Sequence, residues 1–407
     1  MSLKIIWGNM FDVVNLGQVF TPTSVVDLML GLRENFGRVL EPSSGDGAFS
    51  TKLDNCVSIE IDPIHANEET LQIDFFDYSL DEKFETIIGN PPYVRYQDIP
   101  SSTKIKLSSQ IFDSRSNLYL FFIEKCLDHL TPKGELIFIV PRDFLKSTSS
   151  IQLNRFIYSL GTITHLIDLG DSRVFAGAVP NCVIFRFEKG NFTRGTKYLT
   201  LNMNSSENIA LEDLKWQNRK FQEVSGQLVF SASDSRLQMI EIAEIKVGAV
   251  SGYDSIYANE EYGNRDFVFS ETGKTGKTRR MIWAETLDQV SPYLLAHKSE
   301  LIARRIRKFD ESNWWEWGRG YPINERDRVY VNCKTRFKSP FFQHECKNFD
   351  GSVLGIFPKK EVDLKEFVND LNTVSWEELG FYCDGRFIFS QRSLENAPLP
   401  DFMSKYL

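Results

Sequence analysis

The sequence predicts an α/β chain, with a doubly wound, mostly parallel sheet in its first half and a mixed α+β module in its second. Three observations carry this. The 407 residues exceed what one core usually serves, so two domains are expected. Short apolar, often β-branched runs alternate with helix-length segments to about residue 190. Beyond that point a polar, turn-rich stretch leads into short strands, Gly and Trp, and the strand–helix unit does not recur. Composition agrees: 42% hydrophobic and 25% charged residues exclude a disordered or fibrous chain, and 32 Phe with 7 Trp suggest packed cores and ring-lined surfaces.

Strands are expected at residues 38–41, 57–60, 71–74, 85–89, 135–140, 163–168 and 182–187, several of them continuous apolar runs of the kind buried on both faces of a parallel sheet. Helices are expected at 23–36, 117–130 and 147–160. The second places Leu118, Phe121, Phe122, Cys126, Leu127 and Leu130 at helical spacing, and Thr131-Pro132-Lys133-Gly134 stops it. The domains are set at 1–235 and 236–407.

The six cysteines include no pair at metal-knuckle or redox spacing, so neither a zinc site nor a disulfide is expected. With no long apolar run and no secretory leader after Met1, a soluble cytoplasmic protein is expected. The net charge of −8 is unevenly spread. Residues 1–90 hold 5 basic and 15 acidic side chains, whereas residues 272–347 hold 16 basic and 9 acidic. The basic stretch includes Arg279-Arg280, Arg304-Arg305 and Arg307-Lys308, followed by Trp314, Trp315 and Trp317, a combination that points toward a polyanion.

Local chemistry concentrates at strand ends. The first strand runs through Glu41 into Pro42-Ser43-Ser44-Gly45-Asp46-Gly47, a turn whose glycines let backbone approach a ligand. It lacks the full G-x-G-x-x-G of a dinucleotide site. The second strand ends with Glu60-Ile61-Asp62, a carboxylate spaced to accept both hydroxyls of a ribose. The third ends at Asp74-Phe75-Phe76, where an acceptor beside an aromatic ring suits a purine. The fourth runs into Asn90-Pro91-Pro92-Tyr93. Consecutive prolines fix φ and remove ladder donors there. The Asn90 side-chain oxygen and the Pro91 carbonyl can accept both hydrogens of a planar amino group while Tyr93 stacks on the attached ring. No general base is needed beforehand, because the amine becomes strongly acidic once alkylated.

Over roughly residues 15–190 the chain resembles the amino-methyltransferases of restriction–modification systems, specifically the gamma-ordered adenine-N6 DNA methyltransferases. Gly17-Gln18-Val19-Phe20-Thr21-Pro22 resembles the N-terminal cofactor motif of that order, and Asn117-Leu118-Tyr119 through Pro141-Arg142-Asp143-Phe144-Leu145 resembles the elements that complete the pocket. The resemblance implies a Rossmann-like, seven-stranded methyltransferase sheet. It implies that Thr21, Glu41, Gly45, Glu60, Ile61, Asp74 and Phe75 hold S-adenosylmethionine. Asn90, Pro91, Pro92 and Tyr93 would be catalytic, and Tyr93 and Phe175 would stack on a flipped adenine. Val247–Asp254 (247–254) and residues 387–390 resemble the bounds of a target-recognition region, which makes Arg279, Arg280, Arg304, Arg305, Arg307 and Lys308 the expected contacts to double-stranded DNA. A monomer, a separately encoded cognate endonuclease and no metal are the accompanying expectations. Residues 95–116, polar and bearing Arg95, Lys104, Lys106 and Arg115, are expected to order over DNA. The same Asn-Pro-Pro-Tyr chemistry also serves protein glutamine-N5 and RNA methyltransferases, which stand as the alternatives.

Overall fold

The computed structural model describes residues 19–107, 111–112, 116–170, 172, 175, 181–202, 209–231, 237–320, 325–383 and 385–407. The chain divides into two compact units, Met1–Asp234 and Ser235–Leu407.

All seven expected strands form in the first unit: β1 (Val39–Glu41), β2 (Cys56–Glu60), β3 (Thr70–Gln72), β4 (Phe84–Gly89), β5 (Leu130–Pro141), β6 (Gly161–Asp168) and β7 (Cys182–Lys189). They lie in the order β3-β2-β1-β4-β5-β7-β6. The β1–β2, β2–β3, β1–β4 and β4–β5 pairs are parallel, and β7 runs antiparallel to both β5 and β6. The sheet then continues through β8 (Gly195–Thr200), β9 (Gln217–Val224) and β10 (Gln227–Ser231), giving ten strands among the described residues where seven were expected. These three lie in the stretch read as turn-rich. Most side chains of β8 and β9 alternate toward solvent, so their apolar content is too low to stand out as strand.

The period of two along each central strand divides the core between the faces of the sheet. Leu40, Ile87, Leu136, Phe138, Val183 and Phe185 join one apolar cluster, and their neighbours Val39, Ile88, Ile137, Ile139 and Ile184 join another. Helix α1 (Thr23–Gly31) covers the second face with Val25, Leu28 and Met29. After the short α2 (Ser101–Lys104), helices α3 (Leu118–His129) and α4 (Ile151–Leu160) cover the first. Helices on both faces make this a doubly wound α/β fold. The Asn117 side chain caps α3 by accepting from the Tyr119 N–H.

α1 ends five residues before its expected limit for a specific reason. The backbone N–H groups of Glu34 and Asn35 donate to the carboxylate of Glu135 on β5, at 3.2 and 3.0 Å, in place of continuing the helix ladder. Glu135 is fully buried. It also accepts from Thr86 Oγ1 at 2.9 Å and pairs with the buried Arg186 at 2.7 Å, and Arg186 in turn donates to Thr164 Oγ1. This buried pair ties α1, β4, β5, β6 and β7 together at the end of the sheet away from the carboxyl termini of its parallel strands.

The second unit is antiparallel and mixed, the α+β texture expected of it. Its strands are β11 (Ala243–Val247), β12 (Arg265–Phe267), β13 (Arg279–Met281), β14 (Val329–Asn332), β15 (Lys334–Thr335), β16 (Phe341–Phe342), β17 (Val353–Pro358), β18 (Tyr382–Cys383) and β19 (Arg386–Ile388). They make sheets ordered β11-β17-β14-β16, β12-β13 and β15-β19-β18. Trp314, Trp315 and Trp317 are 1, 8 and 5% exposed, packed with Tyr257, Phe267 and Met281. The tryptophans beside the basic run therefore form a core and not a ring-lined surface. No helix among the described residues is long and apolar enough to cross a membrane.

Candidate active site

In an open α/β sheet, ligands bind beyond the carboxyl ends of the strands where the strand order reverses. Here that point lies between β1 and β4, the strands that end in Glu41 and Gly89. A hollow enclosing about 910 Å³, part of it open to solvent, sits there. Its wall includes Thr21, Glu41, Gly45, Glu60, Ile61, Asp74 and Phe75, all seven residues expected to hold the cofactor, together with Asn90 and Pro92.

The turn after β1 takes the backbone through the left-handed region at Gly45 (φ +51°) and Gly47 (φ +79°), where a side chain would be strained. A Cβ at Gly45 would also press on Phe20 at 3.3 Å. The Gly45 N–H donates to Glu60 at 2.8 Å, and the Asp62 N–H donates to its other oxygen at 2.9 Å, so the end of β2 is locked to the turn after β1. Glu41 is 1% exposed and accepts from the Ser50 N–H at 2.8 Å. Burial pushes its carboxyl up to about 8 against the partial relief from Ser50. Asp74 caps the short turn after β3 through the Phe76 N–H at 3.0 Å. Its other oxygen accepts from Thr103 at 2.9 Å and Lys106 at 3.2 Å.

Asn90 supplies the sharpest geometry. Its amide nitrogen donates to the Val19 carbonyl at 2.9 Å and to Thr21 Oγ1 at 3.2 Å, which fixes the side-chain plane. Its Oδ1 is buried with no hydrogen-bond partner among the described residues. An orphaned acceptor on the wall of a hollow costs roughly 1–3 kcal/mol unless a ligand donor meets it. Ser44 Oγ on the same wall is likewise buried and unpartnered. The hollow is acidic, lined by Glu41, Asp46, Glu60 and Asp74, and no Lys, Arg or His is found among its described lining residues. Such a site suits a cationic ligand.

Pro91 and Tyr93 do not line the hollow. The Tyr93 hydroxyl donates to the Ile139 carbonyl at 2.9 Å, and its ring meets Tyr119 edge-on at 5.9 Å. Desolvation holds the phenol well above its ordinary pKa, so it stays protonated. Phe175 departs from the expected stacking role. It is 7% exposed and packs in the apolar cluster with Ile139, Ile167 and Cys182. Its neighbours Val174 and Ala176 to Val179, like Gly17, Gln18 and Arg115, lie outside the described residues. Sequence reasoning missed Pro100, Thr103, Ile73 and the α3 pair Leu118 and Phe122 as lining residues. Ile73 adjoins a motif and was findable. Leu118 and Phe122 follow a helical repeat indistinguishable from core, and no local pattern marks Thr103.

With this geometry established, residues 45–175 match the sequence model of a known family. It is the Eco57I restriction-modification methylase family. Among curated relatives, the chain is 33% identical over 215 residues to the type II methyltransferase M.HincII of Haemophilus influenzae, covering 50% of this chain and 42% of that protein. It is 34% identical over 201 residues to the type II methyltransferase M.TthHB8I of Thermus thermophilus, covering 43% and 46%. The matched region thus spans less than half the length of these relatives. Among solved structures, a putative class I S-adenosylmethionine-dependent methyltransferase from Listeria monocytogenes is similar with 16% identity and a TM-score of 0.37, over 46% of this chain and 67% of that one. The resemblance to restriction–modification methyltransferases is borne out.

In the second unit, the basic residues expected on DNA divide. Arg304 is 8% exposed, and its guanidinium donates to the carbonyls of Leu301, Ser251, Trp314 and Glu316 at 2.5–2.9 Å while lying 3.8 Å from the Phe309 ring centre. It holds loops together and is not available to phosphate. Arg307 pairs with Glu316 and the Trp317 carbonyl. Arg279 lies over Phe269 and near Asp254 and Asp350, and Arg280 lies 3.8 Å from Asp266. Arg305 and Lys308 are exposed with no ion pair among the described residues.

Proposed function

We propose that this chain is a site-specific DNA methyltransferase that uses S-adenosylmethionine to methylate the exocyclic N6 of an adenine rotated out of duplex DNA. The carrying observation is Asn90, whose amide nitrogen is pinned and whose oxygen is left as a free buried acceptor on an acidic hollow. When bound, S-adenosylmethionine supplies a methyl group on a cationic sulfur. Thr21, Glu41, Gly45, Glu60, Ile61, Asp74 and Phe75 would hold it, and the left-handed glycine turn, the orphaned Ser44 and Asn90 oxygens and a lining that carries carboxyl groups and no cation among its described residues fit such a molecule. Glu60 keeps lone pairs for ribose hydroxyls beyond the two backbone donors it accepts.

Asn90 Oδ1 and the Pro91 carbonyl accept the two hydrogens of the target amine, which turns the nitrogen lone pair out of the ring plane. Pro91 and Pro92 stiffen the corner so that little reorganisation accompanies this contact. Tyr93, tethered by its hydroxyl to Ile139 and set back from the lining of the hollow, would stack on the base once the base enters. Positioning supplies most of the rate, since an in-line displacement needs donor and nucleophile about 3–3.5 Å apart and aligned. The excess proton leaves to water. Unstacking the adenine costs a few kcal/mol, which ring contact with Tyr93 partly offsets. Arg305 and Lys308 would contact phosphates. The natural setting on this reading is cytoplasmic, with a monomer acting beside a separately encoded endonuclease.

The test offers methyl-labelled S-adenosylmethionine with genomic DNA, total RNA and a glutamine-bearing release-factor protein in parallel. Label in DNA alone, at adenine N6, is expected. Label confined to RNA or to protein glutamine would replace this reading with one of the alternatives.

A further inference from the structure

With Arg304 locked on four carbonyls and Arg279, Arg280 and Arg307 each beside a carboxylate, only Arg305 and Lys308 of the expected contacts stay free among the described residues, and a second group of free cations lies farther along the chain. Lys334, Arg336 and Lys338 are all exposed, and none has an ion pair among the described residues. Between the last two stands Phe337, 42% exposed. Across β15–β19, Lys334 faces Ile388, itself 37% exposed. Three cations, a ring and an aliphatic side chain thus share one edge of the small sheet.

The loop that carries them is built to hold its shape. On one side Thr335 is buried and paired with Phe387 in the ladder, and its Oγ1 accepts from the Phe337 N–H at 3.2 Å. On the other, Pro340 is buried and Phe341 exchanges two hydrogen bonds with the Asn372 side chain, both at 3.0 Å. Phe337 belongs to none of the apolar clusters of the described residues, so its ring is available to an external partner. Apolar wedges flanked by cations are how proteins press into DNA base steps while gripping the phosphates on either side.

We infer that the loop of residues 334–338, with Ile388 beside it, is a duplex-DNA contact surface on which Lys334, Arg336 and Lys338 hold phosphates and Phe337 bears on the grooves or base steps. This rests on the DNA reading above and adds the surface that meets the duplex.

The test measures binding of full-length protein to a fluorescent duplex bearing the mapped target site, between 50 and 200 mM salt, for wild type, Arg336→Ala/Lys338→Ala, Phe337→Ala and the exposed pair Lys359→Ala/Lys360→Ala. Each phosphate contact contributes about −0.9 to the slope of log K against log salt, so the Arg336/Lys338 variant should lose about 1.8 of slope. Phe337→Ala should weaken target binding at least about tenfold with the slope unchanged, and the Lys359/Lys360 pair should match wild type. S-adenosylmethionine affinity and the denaturant melt of the second unit should be unchanged in all three variants, which separates a lost surface from a misfolded chain. A wild-type slope in the Arg336/Lys338 variant, or equal loss in the Lys359/Lys360 pair, overturns the inference. If wild type neither binds nor methylates duplex, the underlying DNA reading fails instead.

Discussion

Glu41 makes the cofactor hollow sensitive to pH in a direction that can be worked out. Its carboxyl rises from the usual 4.5 to about 8, chiefly because burial at 1% exposure disfavours the anion. Between those values the folded chain holds a proton that the unfolded chain has released. The unfolded state therefore binds fewer protons, and stability falls as pH rises through this window. At 1.36 kcal/mol per unit the full penalty above pH 8 is about 5 kcal/mol, an order-of-magnitude figure. Glu41→Gln removes the titration and keeps an amide oxygen for the Ser50 N–H. Denaturant unfolding of both proteins from pH 5 to 9 should therefore give curves that coincide near pH 5 and diverge in favour of the variant as pH climbs. Cofactor binding by wild type should also release a proton, because a cation in the hollow favours the anion. Parallel stability profiles across the range would refute the reasoning.

Glu135→Ala removes the fully buried carboxylate from Arg186, which keeps Glu34 and Glu188 at 2.9 and 3.5 Å, and leaves the Thr86, Glu34 and Asn35 donors unmet, so it should cost about 2–4 kcal/mol in unfolding free energy, measured with denaturant; a cost under about 1 kcal/mol would contradict the clamp. Arg304→Lys should destabilise the second unit nearly as much as Arg304→Ala, because an ammonium cannot span four carbonyls, and a lysine variant melting like wild type would show the guanidinium is dispensable. Thr103→Val with Lys106→Met frees Asp74 from the segment after Tyr93 and should change S-adenosylmethionine affinity severalfold by calorimetry, while the same pair on an Asp74→Asn background should have little further effect.

Legibility from sequence followed the range of the interactions. Six of the seven expected strands were plain because they are largely buried and read as apolar runs, whereas β3, an exposed edge strand, was marked by its place before Asp74-Phe75. β8 and β9 were not plain, because strands whose side chains turn largely toward water resemble a polar loop. The hollow was legible where its residues lie at successive strand ends, as Gly45, Glu60, Asp74 and Asn90 do. Thr103 and Lys106 were not, since they reach Asp74 across 29 and 32 residues. Arg304 illustrates the opposite error. Counting charge along the chain placed it on DNA, but its partners are backbone carbonyls, which carry no signature in sequence. The adjacent tryptophans looked like a nucleic-acid surface for the same reason, and packing with Tyr257 and Phe267 buries them. The structure also returns Phe175 to the core, leaving Tyr93 as the ring assigned to the base.

The most direct measurement pairs wild type with Asn90→Ala, following cofactor binding by calorimetry and methylation of genomic DNA by modification-sensitive sequencing. The account predicts that wild type marks adenine N6 within one short sequence, and that the variant binds S-adenosylmethionine normally yet transfers at least about 100-fold more slowly, in line with losing one preorganised hydrogen-bonding group at the reacting centre. Transfer by Asn90→Ala at the wild-type rate, or methylation by wild type at a cytosine, would contradict it.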